Sequence, residues 1–365
     1  MTTTSTRDIG LDVIKGLGCV LMVIAHSKLK MWDYEEYLIW GNLAPALFFS
    51  ASGVTATFQT KKPLKEMLVL YGFIFLLGLS YSGFLHDDFL SNFQFEIIQV
   101  IALSVLTIYC IEKYFQPKTW GYLFLGITAF VLDKIIYPLG FEKIEGILIA
   151  PGVFPFLPWL SLFFLGVFAY RIKNLYNLII FFTLSIIYYS LFGWGIPEGG
   201  VSKRQFLLDF FILSSMSLFF VFFLVRSVKF LQNKKLNWVV LFLGENSLLF
   251  LYIHYAFIKF FRLFEIQRDV EIIWEHPWLF WVLILFTSTF AMLLIKFISP
   301  WVEVLFQNIF TWLFLLLLVF IAPYIITKTS YIGYFELLLG ILFATYYSNL
   351  GKIIKRESHA NYPLN

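Results

Sequence analysis

The chain has 365 residues, of which 60% are hydrophobic, 21% aromatic and only 14% charged, and its mean hydropathy is +0.80. Soluble domains carry about 25% charged residues, and a water-soluble fold of this size has too little polar surface to cover so much apolar material. A net charge of +4 without a long basic block excludes disorder and a phosphate-tracking surface, so no nucleic-acid partner is expected.

Lipid is the remaining place to bury these side chains. A spanning helix needs about 20 apolar residues. Twelve segments qualify: 9–27, 37–58, 64–85, 96–112, 119–137, 154–171, 174–193, 206–226, 237–261, 277–297, 301–322 and 330–348. The expectation is an all-α polytopic bundle of about twelve spans, or as few as ten. Only Ile298-Ser299-Pro300 separates the tenth and eleventh segments. Residues 1–300 form a core in this reading, 301–350 add two helices, and 351–365 are a polar cytoplasmic tail. The apolar run after the polar start opens with Asp12 and Lys15 and lacks a small-residue cleavage site, so the first helix is expected to remain in the mature protein.

Orientation follows from the basic residues. A cytoplasmic N-terminus places Arg7, Lys61, Lys62, Lys65, Lys113, Lys118, Arg171, Lys173, Arg226, Lys229, Lys234 and Lys235 inside, with Lys296, Lys352, Lys355 and Arg356. The outer loops then carry an acidic excess that includes Asp33, Glu35, Glu36, Asp87, Asp88, Glu142, Glu145 and Glu275. Both termini are cytoplasmic on this scheme. Trp120, Trp238, Trp274, Trp278 and Trp301 fit an interfacial belt.

Ionisable groups within spans are functional candidates by default. In the first span, Lys15 and His26 are eleven residues apart, which puts them within about 20° of each other around a helix and about 16 Å apart along it. Asp12 shares the stripe. An acid and a base near the cytoplasm thus align with an imidazole near the outer surface. Asp12 and Lys15 also suit a simple i,i+3 pair, and His26 an interfacial position.

The stretch 48–56, Phe-Phe-Ser-Ala-Ser-Gly-Val-Thr-Ala, is rich in small residues and reads first as helix packing. Such faces pack equally well within a chain or between copies, so a homo-oligomer is compatible. His86 beside Asp87 and Asp88 reads as solvated loop rather than metal site. Gln99 opens the fourth span, where it suits either interhelical bonding or a polar pocket with His26 and His254. Two prolines, Pro155 and Pro158, precede Trp159 at the start of the sixth span. The ninth holds Glu245, Asn246 and Ser247, with His254 seven residues after Ser247 on the same face and at the outer level of His26. A hydrogen-bonded core histidine is the plainer account of His254. Neither His276 nor His359 receives a role. Cys19 and Cys110 lie in apolar runs and read as packing. No phosphate loop, Cys-x-x-Cys pair or His-Glu-x-x-His is present, so no metal is expected. Nor is an internal repeat of the transporter kind visible.

Together these segments resemble the membrane acyltransferase superfamily that includes acyltransferase family 3 and the heparan-α-glucosaminide N-acetyltransferase-like proteins. GLDVIKGLGCVLMVIAH looks like its first-helix motif, FFSASGVTATF is similar to its second-helix segment, and EIIQVIALSVL, FPFLPWLSLFFLGVFAYR and LGENSLLFLYIHYAFI follow in family order. The likeness covers about residues 7–300, and its Pro-Trp segment points to the glucosaminide branch. Lys15 stands where the acyltransferase-3 pattern has arginine, giving a point charge without a bidentate fork.

The resemblance implies transfer of an acyl group, usually acetyl, from cytosolic acyl-CoA to an extracytoplasmic glycan, lipid-linked sugar or small acceptor. It implies His26, Gln99 and His254 as catalytic residues, with His26 as base or acyl carrier. Lys15, Asp12, Asn246, Ser247 and Trp159 would contact the donor, whose pantetheine arm would run along the stripe from Lys15. The other readings are a transporter or flippase with His26 and His254 lining the path, and a noncatalytic membrane subunit whose buried polar groups serve only packing. A bacterial or archaeal cell membrane is the simplest location.

Overall fold

The computed structural model describes residues 8–27, 34–86, 93–193, 204–264, 270, 277–326 and 329–360. Arg7, Asp33, Asp87, Asp88, Trp274, Glu275 and His276 lie outside the described residues, as do the side chains of Glu35, Glu36 and His359. Within them the protein is all-helical, with a single isolated bridge, Glu145 to Ile149.

The helices are α1 (Ile9–Ser27), α2 (Tyr34–Thr57), α3 (Leu64–Leu77), α4 (Leu79–Leu85), α5 (Ile97–Tyr114), α6 (Thr119–Ile136), α7 (Phe156–Arg171), α8 (Asn174–Phe192) and α9 (Leu208–Ser227). Then come α10 (Trp238–Glu245), α11 (Ser247–Leu263), α12 (Pro277–Val302), α13 (Ile309–Ile325) and α14 (Thr329–Ala360). Every predicted segment is helical. Among the described residues, eight helices are long and apolar enough to cross a membrane, or nine if the bent pair α10–α11 is one span. The stretches Leu43–Thr57, Phe156–Arg171 and Ile309–Ile325 are apolar but shorter.

Three boundaries differ from expectation. The ninth segment is two helices meeting at 98°. Asn246 has φ −115° and ψ 30°, and its side-chain Nδ2 donates to the Phe242 carbonyl at 2.9 Å. A side chain that competes for a helical carbonyl favours a break there. The tenth and eleventh segments are separate, but Pro300 lies inside α12 and the break follows Val302. Asn308 then caps α13, its side chain accepting from the Phe310 amide at 3.0 Å. Finally, α14 continues to Ala360, so the start of the expected polar tail is helix.

Hydrogen bonds between connections show which helix ends lie together. At one end Tyr170 donates to Asp8 Oδ2 at 2.8 Å, and Arg226 donates to the Tyr170 and Ile172 carbonyls at 3.3 and 3.0 Å. Arg171 pairs with Glu112 at 2.6 Å, and Lys113 reaches the Lys62 carbonyl at 2.5 Å. These bonds gather the start of α1 with the α2–α3, α5–α6, α7–α8 and α9–α10 connections, where the basic residues are concentrated. At the other end Phe95 donates to Gly146, Gly152 to Arg204, and Lys134 to Gln205, at 3.0, 3.0 and 2.9 Å. The exposed Trp120, Trp238, Trp278 and Trp301 suit the belt.

Two close backbone crossings tie helices of the bundle together. Gly53 on α2 meets the Phe163 carbonyl of α7, while Gly166 of α7 meets Ser50, each so closely that a Cβ would fall 2.4 Å from the other helix. The small-residue stretch 48–56 therefore does the packing work expected of it. Gly16 on α1 and Gly244 on α10 make the tighter crossing, where a Cβ would fall 2.0 Å from the Val240 carbonyl or 1.9 Å from the Asp12 carbonyl.

Candidate active site at a histidine pair

The α1–α10 crossing sets the height of α11 against α1 and brings two distant histidines together. His26 stands in the last turn of α1, half-buried, and His254 is fully buried on α11. His26 Nδ1 and His254 Nε2 are 3.0 Å apart, with the rings stacked at 5.3 Å between centroids and 14° between planes. His254 Nδ1 lies 2.7 Å from the Phe250 carbonyl.

That last contact assigns the protons. A carbonyl only accepts, so His254 Nδ1 carries the hydrogen, and Nε2 of the neutral ring keeps its lone pair. His26 Nδ1–H then donates to His254 Nε2. With both rings neutral, the lone pair of His26 is on Nε2. The chain from Phe250 through His254 fixes the tautomer of His26 and aims a basic nitrogen away from the pair.

Neighbouring side chains hold this geometry. Phe250, one turn before His254, stacks on it at 4.9 Å and 8°. Tyr255 sets its ring edge-on to His26 at 5.2 Å and 80°, and also meets Phe84 of α4 at 5.9 Å. Arg262 Nη2 donates to the His26 carbonyl at 2.6 Å, satisfying a backbone acceptor at the C-terminus of α1. Sequence reasoning missed Tyr255 and Arg262. The i,i+4 spacing of Phe250 and His254 was visible, but Arg262 carried no signal of reaching across to α1.

The remaining expected site residues are placed as follows. Asp12 is buried and Lys15 half-buried on α1 toward the basic end. Cys19 lies on the stripe between Lys15 and His26, is fully buried, and sets its Sγ 3.6 Å from the Leu243 carbonyl. At Cys19, α10 covers the stripe expected to carry the donor's arm. Asn246 and Ser247, both half-buried, form the break between α10 and α11 rather than a continuous helix face. Glu245 is exposed.

Gln99 is buried, but its bonds lie elsewhere than the expected pocket with the histidines. Its Oε1 accepts from the Glu96 amide at 3.2 Å and its Nε2 donates to Ser82 Oγ at 3.5 Å. Glu96 answers by accepting from the Gln99 backbone, which completes a capping box at the start of α5. Gln99→Ala is accordingly expected to lower stability by about 1 kcal/mol, read as a small downward shift of the melting midpoint in detergent. His86 pairs with buried Glu96 at 2.8 Å, and no cluster of three metal-ligating side chains occurs among the described residues.

Trp159 is fully buried among Phe49, Phe154, Phe206 and Phe210, at centroid distances of 5.1, 5.0, 4.9 and 5.5 Å. Its helix α7 packs on α2, α5, α6 and α9, whereas α10 and α11 pack on α1. Trp159 is thus part of an aromatic core.

Fold and site define a multi-helix membrane protein with a hydrogen-bonded histidine pair at one end of the bundle and a concentration of cations at the other. Residues 7–192, just over half of the chain, match the catalytic domain of heparan-alpha-glucosaminide N-acetyltransferase. The chain belongs to that membrane acyltransferase-like family, which implies a membrane acetyltransferase with acetyl-CoA as donor. The match is narrower than the expected 7–300: it contains Asp12, Lys15, His26, Gln99 and Trp159 but ends before Asn246, Ser247 and His254. No curated protein and no solved structure matches the chain.

Proposed function

We propose that this protein transfers an acetyl group from cytosolic acetyl-CoA to a hydroxyl or amine of a glycan, lipid-linked sugar or small acceptor on the outer side. His26 is the general base. The observation that carries this reading is the His26–His254 hydrogen bond, which leaves the lone pair of His26 on Nε2. In the reaction His26 Nε2 takes the proton of the acceptor as its oxygen or nitrogen attacks the thioester carbonyl. The carbon–sulfur bond breaks, and the CoA thiolate leaves and is protonated. His254 is a positioning residue, since it acts through His26 and stabilises the imidazolium that forms. Direct transfer needs only this lone pair. An acyl-imidazole carrier would use the same atom and would leave labelled acetyl on the protein when acceptor is withheld.

The donor's nucleotide belongs at the basic end. Lys229, Lys234 and Lys235 are exposed on the connection between α9 and α10, part of which packs against α1. Phosphates are held by such flexible ammonium groups as point charges. The scheme takes all twelve helical segments as spans, with both termini cytoplasmic. It also keeps residues 1–300 as the transferase core and the last helices as an addition.

Acetyl-CoA binding to the purified protein in detergent tests the donor half without knowledge of the acceptor. Saturable binding with competition by free CoA is expected, and Lys15→Ala should weaken it about tenfold, equivalent to about 1.4 kcal/mol. Folded protein that binds neither acetyl-CoA nor longer acyl-CoAs would favour the transporter reading.

A further inference from the structure

The last helix holds a group that the proposed reaction does not use. Glu336 on α14 is fully buried, and neither of its carboxyl oxygens has a hydrogen-bond partner among the described residues. It lies inside a segment apolar enough to span the membrane, Tyr331–Arg356.

Its direction is fixed by two glycines on the same helix face. Gly333 sits over the backbone of Gly83 and Phe84 on α4, and Gly340 against the ring of Tyr252 on α11. Residues at i, i+3 and i+7 share a face, so Glu336 points between α4 and α11. Tyr252 is within its electrostatic reach. Ser80 Oγ donates to the Leu77 carbonyl at 2.8 Å and lies 2.9 Å from Tyr252 Oη. A hydroxyl has one proton, so Tyr252 is the donor to Ser80, and its own oxygen keeps lone pairs to accept.

We propose that Glu336 is a proton-binding site in the membrane interior, a neutral carboxylic acid lodged between α4 and α11 beside the Tyr252–Ser80 hydroxyl pair. An ionised carboxylate there would be buried without a compensating donor, whereas the neutral acid leaves no unpaired charge. Several other ionisable groups on the helices around this stretch are engaged elsewhere. Tyr81 on α4 packs edge-on to Tyr252 at 5.2 Å. Tyr71 on α3 bonds to Gln59 at 3.0 Å. Lys259 on α11 gives its ammonium to the Phe84 carbonyl at 2.5 Å. Glu66 lies at the start of α3, 3.9 Å from Lys62. Glu303 binds Asn349 at 3.1 Å, near the far end of α14.

Infrared absorption of the full chain in detergent at neutral pH tests this directly, in the carbonyl-stretch region of protonated carboxylic acids. Wild type is expected to show a band that Glu336→Gln lacks, that shifts down in D2O, and that Tyr252→Phe displaces by removing the hydroxyl beside the acid. Should Glu336→Gln fail to fold, wild type against Tyr252→Phe carries the same test. No band dependent on residue 336, or one unmoved by both D2O and Tyr252→Phe, overturns the proposal. The measurement needs neither acyl-CoA nor acceptor, so its outcome is independent of the proposed reaction.

Discussion

His26→Ala is expected to reduce acetyl transfer by about 10²–10⁴-fold, the usual contribution of a positioned general base, while leaving acetyl-CoA binding and thermal stability close to wild type. The substitution removes Nε2, the atom that accepts the proton. The half-buried position of His26 at the end of α1 keeps the packing loss small. His254→Ala acts differently, because it deletes the acceptor that fixes the tautomer of His26 and leaves a hole in a fully buried position. It should cost both activity and stability, and its activity loss should be the smaller of the two. The assay is release of CoA thiol with a terminal glucosamine glycoside as test acceptor, alongside melting in the same detergent. Normal transfer by folded His26→Ala would remove the base from the mechanism.

Gly244→Ala is expected to have the largest effect on stability, a loss of about 3 kcal/mol or more. The added methyl would stand 1.9 Å from the Asp12 carbonyl oxygen and 2.9 Å from the Gly16 amide nitrogen. Both are backbone atoms, so relief requires α1 and α10 to separate. That separation would also shift α11 and lengthen the bond between His26 and His254. A melting midpoint well below wild type, with loss of transfer, is the expected result. Gly72→Ala is the control, since nothing lies within 4 Å of its added carbon, and alanine is favoured in a helix by about 1 kcal/mol. If both alanine variants melt like wild type, the crossing is looser than described.

Much of this architecture could be read before folding was considered. Length and hydropathy marked a segment for each α-helix among the described residues, because a span must satisfy its backbone within one apolar run. Where the reading failed, local side-chain chemistry had overridden the apolar pattern. Asn246 broke a segment whose hydropathy was continuous, and Pro300 remained within a helix whose end was set further along. Gln99 shows the same limit at the site. Its burial was foreseeable from its place in the span, but its bonds went to its own N-cap and to Ser82.

The sequence by itself determined that the chain is a membrane helical protein, that Asp12, Lys15 and His26 share one stripe of the first helix, and that His26 and His254 are candidates. Helix periodicity is local, and eleven residues suffice to show an alignment. Only the tertiary structure decided that the two histidines, 228 residues apart, touch, and which nitrogens do so. It also decided that α10 lies over Cys19, that Trp159 belongs to an aromatic core, and that Glu336 faces the α4–α11 junction. These are relations between helices. They depend on where backbones can approach, at Gly16 and Gly244 or at Gly333 and Gly340, and a single helix's periodicity carries no information about the helix that will meet it.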